Sequence, residues 1–253
     1  MNLFAINLHI HSTYSDGKNS IEMIVREAKN SKLRFIAITD HFSSSWKANI
    51  IPTLNSEQKM DSYLRELHQF QKKLILENDE MMLLKGIELD TTSSIDYIYK
   101  NIRPNSFDII LFEYLNTPGS ISSISNLLKT WNKENPSITA QSIYGLAHLD
   151  PLNFLYDDFK MLISFLKQFN VFYEFNSSYP HTYAKKYDRL FEKLKQQEIM
   201  ISIGADSHEL SSIFDIQDPL SMIEHYGLQM NYQLLLNRLI RLKNHYYECN
   251  FIK

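Results

Sequence analysis

The chain has 253 residues, 44% of them hydrophobic and 22% charged, and a formal net charge of −3. That length encloses a full core in one or two domains, and that composition excludes a disordered or low-complexity chain. The mild acidity makes no electrostatic case for a nucleic-acid polymer as main partner, and the single cysteine, Cys249, excludes an internal disulfide.

A reducing compartment follows, with Cys249 expected as a small buried or half-buried side chain. The N-terminal stretch Met1 to Asn7 has no basic start and too short an apolar run for a signal peptide. Nothing approaches the roughly 18 consecutive apolar residues of a membrane span. A soluble cytoplasmic protein without a membrane partner is the expectation.

In chain order, short apolar runs each lead into an acid or an imidazole. Phe4 to Leu8 precedes His9, and Phe35 to Thr39 precedes Asp40-His41. Met81 to Leu84 precedes Gly86-Ile87-Glu88, and Asp108 to Phe112 precedes Glu113. Ile143 to Ala147 precedes His148, Val171 to Tyr173 precedes Glu174, and Met200 to Ile203 precedes Gly204-Ala205-Asp206. Runs of this length, rich in β-branched and aromatic residues, read as buried strands, seven in all. Four of the six glycines, Gly17, Gly86, Gly145 and Gly204, stand beside these polar ends, where the backbone turns sharply or approaches something closely.

Helical periods fill the gaps. Ser20 reads as an N-cap before the stripe Ile21, Ile24, Val25 and Ala28. Further stripes are Tyr63, Leu64, Leu67, Phe70 and Leu74; Ile121, Ile124, Leu127, Leu128 and Trp131; and Phe159, Leu162, Ile163, Leu166 and Phe169. Tyr187, Leu190, Phe191 and Leu194 follow, then Tyr232, Leu235, Leu236, Leu239 and Ile240. Alternation of buried strands and helices predicts an α/β fold, a single-domain barrel of the TIM type rather than an open sheet, with its active site at the C-terminal ends of the strands. The longest gap, 42–80, is read as an insertion able to cover part of that site. The C-terminal helix, 231–253, suits either an eighth packing element or an interface.

His9-Ile10-His11 puts two imidazoles on one face of a strand, where both can hold one ion. A lone His-x-His has ordinary structural uses, so the rest of the set decides. His41, His148 and His208 also fall at strand ends, beside Asp16, Asp40, Glu88, Glu113 and Asp206. His68, His225 and His245 fall in helical stretches and read as surface residues, whereas His181 in its loop stays ambiguous. Imidazoles and carboxylates without thiolates suit Zn²⁺, Mn²⁺ or Fe, and the number of candidates allows two or three ions. Clustered divalent ions serve phosphoryl displacement.

His9-Ile10-His11-Ser12-Thr13-Tyr14-Ser15-Asp16-Gly17, Thr39-Asp40-His41, Gly86-Ile87-Glu88, Ala147-His148-Leu149-Asp150-Pro151 and Asp206-Ser207-His208 together resemble the PHP (polymerase and histidinol phosphatase) superfamily. The resemblance runs from residue 7 to about 210 and implies a distorted (β/α)7 barrel and a metal-dependent phosphoesterase with two or three ions. It implies His9, His11, Glu88 and Asp206 on one ion, and Asp16, His41 and His208 on another. A third would take Glu88 and His148. Members commonly carry a His a few residues after the fourth strand; Leu115 stands there in this chain, and Glu113 is the expected substitute. Asp40 is expected to orient an imidazole from behind the ligands, and Asn176, near the sixth strand end, to support phosphate or a ligand. Lys18 and Lys47, near the mouth, are candidate phosphate contacts. The implied reaction is attack of a metal-bridging hydroxide on a small phosphomonoester, histidinol-phosphate-like or a nucleotide. The alternatives are an oligonucleotide phosphodiesterase, a non-catalytic metal-bound accessory module, and an amidohydrolase, whose bridging lysine is missing from the middle strand ends.

Overall fold

The computed structural model describes residues 4–134 and 142–251; the readings made on residues 1–3 and on the last two residues of the C-terminal helix lie outside the described residues. The strands are β1 (Ile6–Ile10), β2 (Phe35–Ile38), β3 (His41–Phe42), β4 (Met82–Asp90), β5 (Ile109–Glu113), β6 (Ile143–Leu146), β7 (Phe172–Asn176) and β8 (Ile201–Gly204). The helices are α1 (Ile21–Asn30), α2 (Glu57–Leu76), α3 (Ile95–Asn101), α4 (Pro118–Glu134), α5 (Lys160–Phe169), α6 (Asp188–Gln196), α7 (Gln217–His225) and α8 (Gln229–Phe251).

The strands pair in parallel in the order β1-β2-β4-β5-β6-β7-β8, with the two-residue β3 beside β4 in the register His41↔Glu88. A parallel bridge between Ile10 and Ser207, with His11 N–H donating to the Ser207 carbonyl at 2.9 Å, joins the first strand to the segment after the last. The sheet is thus a nearly closed barrel of seven parallel strands ringed by helices, the α/β architecture expected from the alternating pattern. Strands covered on both faces read as continuous apolar runs, which is why they were visible. Each predicted helical stripe supplies the buried face of α1, α2, α4, α5, α6 or α8, and Ser20 caps α1 by accepting from Met23 N–H. The short helices α3 and α7 escaped the sequence reading because each buries too few residues to make a period: Ile98 in α3, Pro219 and Ile223 in α7.

Strand bounds moved in the C-terminal direction. β4 runs on through Glu88 to Asp90, β5 includes Glu113, and β7 includes Glu174 and Asn176. These polar residues therefore sit in the last rungs of the sheet, where the ladder fixes their direction, instead of on the loops beyond.

In the 42–80 stretch, α2 lies on the outer wall. Tyr63, Leu67, Gln71 and Leu74 face inward, and Gln71 Nε2 donates to the Leu83 carbonyl at 3.0 Å. Only a single 3₁₀ turn, Trp46–Asn49, stays near the strand C-termini. α8 runs under the opposite end. Tyr232 Oη donates to the Phe4 carbonyl at 2.6 Å, Arg238 Nη2 to the Ser142 carbonyl at 3.0 Å, and Tyr246 Oη to Asp108 Oδ1 at 2.6 Å. Those partners precede β1, β6 and β5, so the helix packs across the N-terminal mouth. Cys249 is exposed rather than buried. The buried stripe of α8 ends at Leu242, about two turns earlier, and nothing draws the thiol inward after that. No helix among the described residues is long and apolar enough to cross a membrane.

The break between β2 and β3 is held by one side chain. Tyr63 Oη lies 2.8 Å from both the Ile38 and Gly86 carbonyls, and Asp40 N–H points at the same oxygen from 3.4 Å. Replacing Tyr63 with Phe strands buried backbone groups and is expected to lower unfolding free energy by about 1–3 kcal/mol. Denaturant titration reads this; an unchanged midpoint would show that the hydroxyl contributes nothing to the join.

Candidate metal centre

Alternation on β1 sends Asn7, His9 and, just past the strand, His11 to the barrel interior. His9 Nε2 lies 3.1 Å from His11 Nε2 and 3.3 Å from both Glu88 Oε1 and Asp206 Oδ1. His11 Nε2 is 2.9 Å from Asp206 Oδ1, and His148 Nε2 is 3.4 Å from Glu88 Oε1. On the other flank, Asp16 Oδ1 faces His208 Nε2 at 3.2 Å and His41 Nε2 at 3.5 Å, with His11 Nδ1 at 3.9 Å. The ligand atoms fall into four groups, each within 4.8 Å: His11, Asp16, His41 and His208; His9, His11 and Asp206; His9, Glu88 and His148; His41, Glu88 and Glu113. Eight of the nine candidate ligands fall within the first three of these groups. The ninth, Glu113, joins His41 and Glu88, and no group brings it to His148.

Divalent ions fit this donor set. Both Glu88 oxygens and Asp16 Oδ1 are buried without a hydrogen-bond partner, although imidazole nitrogens stand 2.7–3.6 Å from Glu88. Lone pairs of nitrogen and oxygen converge with few protons between them, an arrangement that burial makes costly unless a cation fills it. The electrostatics agree. Burial opposes charge on Glu88, yet His9 and His41 hold it well below the ordinary carboxylate range. Burial likewise disfavours the His41 cation, but Glu88 and Glu113 lift it to about 10. His11 is pushed down to about 4 by burial and by the neighbouring His41.

Two residues at strand exits, His148 (φ 32°) and Asp206 (φ 47°), adopt left-handed backbone conformations, as does Tyr114 (φ 58°) directly after Glu113. Such conformations cost energy in a non-glycine residue and mark places where side-chain aim outweighs backbone comfort. Gly204 serves the same geometry: a Cβ there would stand 1.9 Å from Glu174 Oε1 and 2.8 Å from His9 Cβ.

The supporting residues differ from expectation. Asp40 touches no imidazole by hydrogen bond; it accepts from Ser12 N–H at 2.8 Å, Ser12 Oγ at 2.6 Å and Ser15 Oγ at 2.5 Å. It anchors the loop that carries His11 and Asp16, because three donors of that loop outcompete a ring nitrogen. Glu174 takes the orienting role. Its carboxylate lies 3.0 Å from His9 Nδ1, accepts from His148 N–H at 2.7 Å and from Asn176 Nδ2 at 3.0 Å. A proton on His9 Nδ1 leaves the Nε2 lone pair facing the centre. Asn176 is fully buried and spent on Glu174 and on Ser178 N–H, so it positions Glu174 and does not reach a ligand. Period-two spacing on β7 was the available signal for Glu174. Lys18 pairs with Glu209 in solvent, and Lys47 turns inward onto Glu113. His68, His181 and His225 are exposed, and none of them falls in a ligand group among the described residues.

The family model described as PHP domain matches residues 7–208. Among curated proteins nothing matches the chain. Two solved structures share the fold. One is a histidinol phosphate phosphatase from Lactococcus lactis subsp. lactis Il1403 complexed with zinc, L-histidinol and phosphate (17% identity, TM-score 0.60, 89% of this chain and 95% of that chain covered). The other is a proposed histidinol phosphatase from Listeria monocytogenes (13% identity, TM-score 0.56, 82% and 97% covered).

Glu174→Gln should keep the fold and weaken Zn²⁺ affinity by about 10–100-fold, since the amide cannot hold the His9 tautomer as the carboxylate does. Competition against a chromogenic chelator reads this. Wild-type affinity in the variant would remove Glu174 from the account.

Proposed function

The chain belongs to the PHP domain family, and we propose that it is a metal-dependent phosphatase that hydrolyses a small phosphomonoester, histidinol-phosphate-like or a nucleotide. The observation that carries the metal-dependent chemistry is the pair of partnerless Glu88 oxygens, buried among His9, His11, His41 and His148. In this reading His9, His11, Glu88, His148 and Asp206 would hold one ion, zinc being favoured by the ligand types, and Asp16, His41 and His208 would hold a second. Bound divalent ions make water nucleophilic at neutral pH and neutralise charge on the phosphoryl oxygens.

The chain's own residues do the rest. Asp40 clamps Ser12 and Ser15, which fixes the loop bearing Asp16. Glu174 and Asn176 lock His9. The Tyr179 ring lies tilted against His148 with ring centroids 4.4 Å apart, and burial together with the Asp206 carboxylate raises its phenol above the ordinary tyrosine value. The phenol therefore keeps its proton at neutral pH, with its O–H directed at the Asp206 carboxylate. His208 and Asp16 are partly exposed, whereas His9, His11 and Glu88 are sealed, so a substrate enters from the His208 side. A net charge of −3 gives a polyanionic chain no long-range attraction, which supports a small ester over an oligonucleotide. The zinc, L-histidinol and phosphate in the Lactococcus structure support the same substrate class.

The test is phosphate release by zinc- or manganese-loaded protein from histidinol phosphate, nucleoside monophosphates and an aryl phosphate, beside an oligonucleotide substrate. Release from one of the monoesters, lost by orders of magnitude in folded His208→Ala, is expected. Turnover confined to the oligonucleotide would replace the monoester reading with a nuclease.

A further inference from the structure

The fourth ligand group, His41, Glu88 and Glu113, differs from the others in holding a cation of the chain itself. Lys47 Nζ lies 2.8 and 2.7 Å from the two Glu113 oxygens and 3.1 Å from His41 Nδ1. Its side chain is 11% exposed and that of Glu113 only 1%. An ammonium has three donors and no acceptor, and here all three are directed at atoms that an ion in this group would need. The third donor and a third ion therefore compete for one place.

The lysine is delivered there by a built turn. Ser45 caps the Trp46–Asn49 turn by accepting from Lys47 N–H at 3.3 Å, and Lys47's own carbonyl accepts from Ile50 N–H at 2.9 Å. Buried Asp90 anchors that turn, accepting from Ser43 Oγ at 2.6 Å, from Ser45 Oγ, and from Thr92 Oγ1 at 2.6 Å. The Tyr114 ring covers the ammonium, its centroid 5.3 Å from Nζ. Lys47 is thus held from its backbone outward, as a ligand-side residue is and a solvated surface lysine is not.

We propose that the ammonium of Lys47 takes the place of a third metal ion, so that this chain carries two ions beside a fixed internal cation. The inference rests on the two-ion reading above. It accounts for Leu115 at a position where a His was expected: a carboxylate paired with lysine needs no further ligand, whereas an ion held by His41, Glu88 and Glu113 would. A single permanent charge balances Glu113, and three or four ligands per ion are then required only at the two ions of the reading above.

The experiment is metal counting by plasma mass spectrometry on full-length chain, equilibrated with excess Zn²⁺ and freed of loose ions, for wild type, Lys47→Ala, Lys47→Met and Lys47→Arg. About two ions per chain are expected for wild type and Lys47→Arg, and about three for Lys47→Ala, where water completes the shell around His41, Glu88 and Glu113. Lys47→Met fills the space without charge and keeps the count at about two while lowering thermal stability, because Glu113 is left unpaired. Three ions in wild type, or two in a folded Lys47→Ala, would overturn the proposal. Wild type without any bound ion would instead defeat the metal-centre reading on which it rests.

Discussion

The constraint on which this molecule turns is charge at the end of a closed barrel. Asp16, Glu88, Glu113, Glu174 and Asp206 are brought together there, three of them wholly buried in the last rungs of the sheet. Lysine supplies one positive charge and the hydroxyls of the neighbourhood are spent on Asp40 and Asp90. Carboxylates cannot be left this way in a low-dielectric interior, and imidazole protons alone leave the Glu88 oxygens undirected. The surplus negative charge is what calls for divalent ions, and the same surplus keeps the phosphoester chemistry at this end of the barrel.

The barrel contributes aim rather than charge. Parallel register puts His41 across from Glu88 and Asp90 across from Glu113, so residues 47 and 23 positions apart in sequence face one another without any loop having to place them. Where a strand ends before its side chain is aimed, the chain accepts a left-handed residue, as at His148 and Asp206. Where a carboxylate must pass close behind β8, Gly204 provides the room. α8 packs across the opposite mouth, and His208 is the more exposed side of the centre.

Much of this was legible because strands buried on both faces are apolar up to the point where function begins. The break in hydrophobicity at His9, His41, Glu88, Glu113, His148 and Asp206 marked the site as well as the strand, and the separate stripes marked the helices. What stayed hidden was the side chains' choice between partners. Glu174 and Asn176 sit inside a strand, and nothing local says that they face His9 and each other instead of solvent. Asp40 looked like an imidazole's partner by proximity in sequence to His41, but Ser12 and Ser15, on the loop after the neighbouring strand β1, supply better donors. Lys47 reads as a candidate phosphate contact near the mouth until the Asp90-anchored turn shows that it is delivered to Glu113. Cys249 followed the average behaviour of cysteine, and the end of the α8 stripe overrode it.

The central claim is that cations, and not imidazole protons, satisfy the acceptors around Glu88. The most direct measurement is anomalous diffraction at the zinc edge from crystals of the zinc-loaded protein. Strong peaks are expected in contact with Glu88, His9 and Asp206 and beside Asp16, His41 and His208. A well-ordered map with no anomalous density at either place, the carboxylates pairing instead with protonated histidines, would contradict the account.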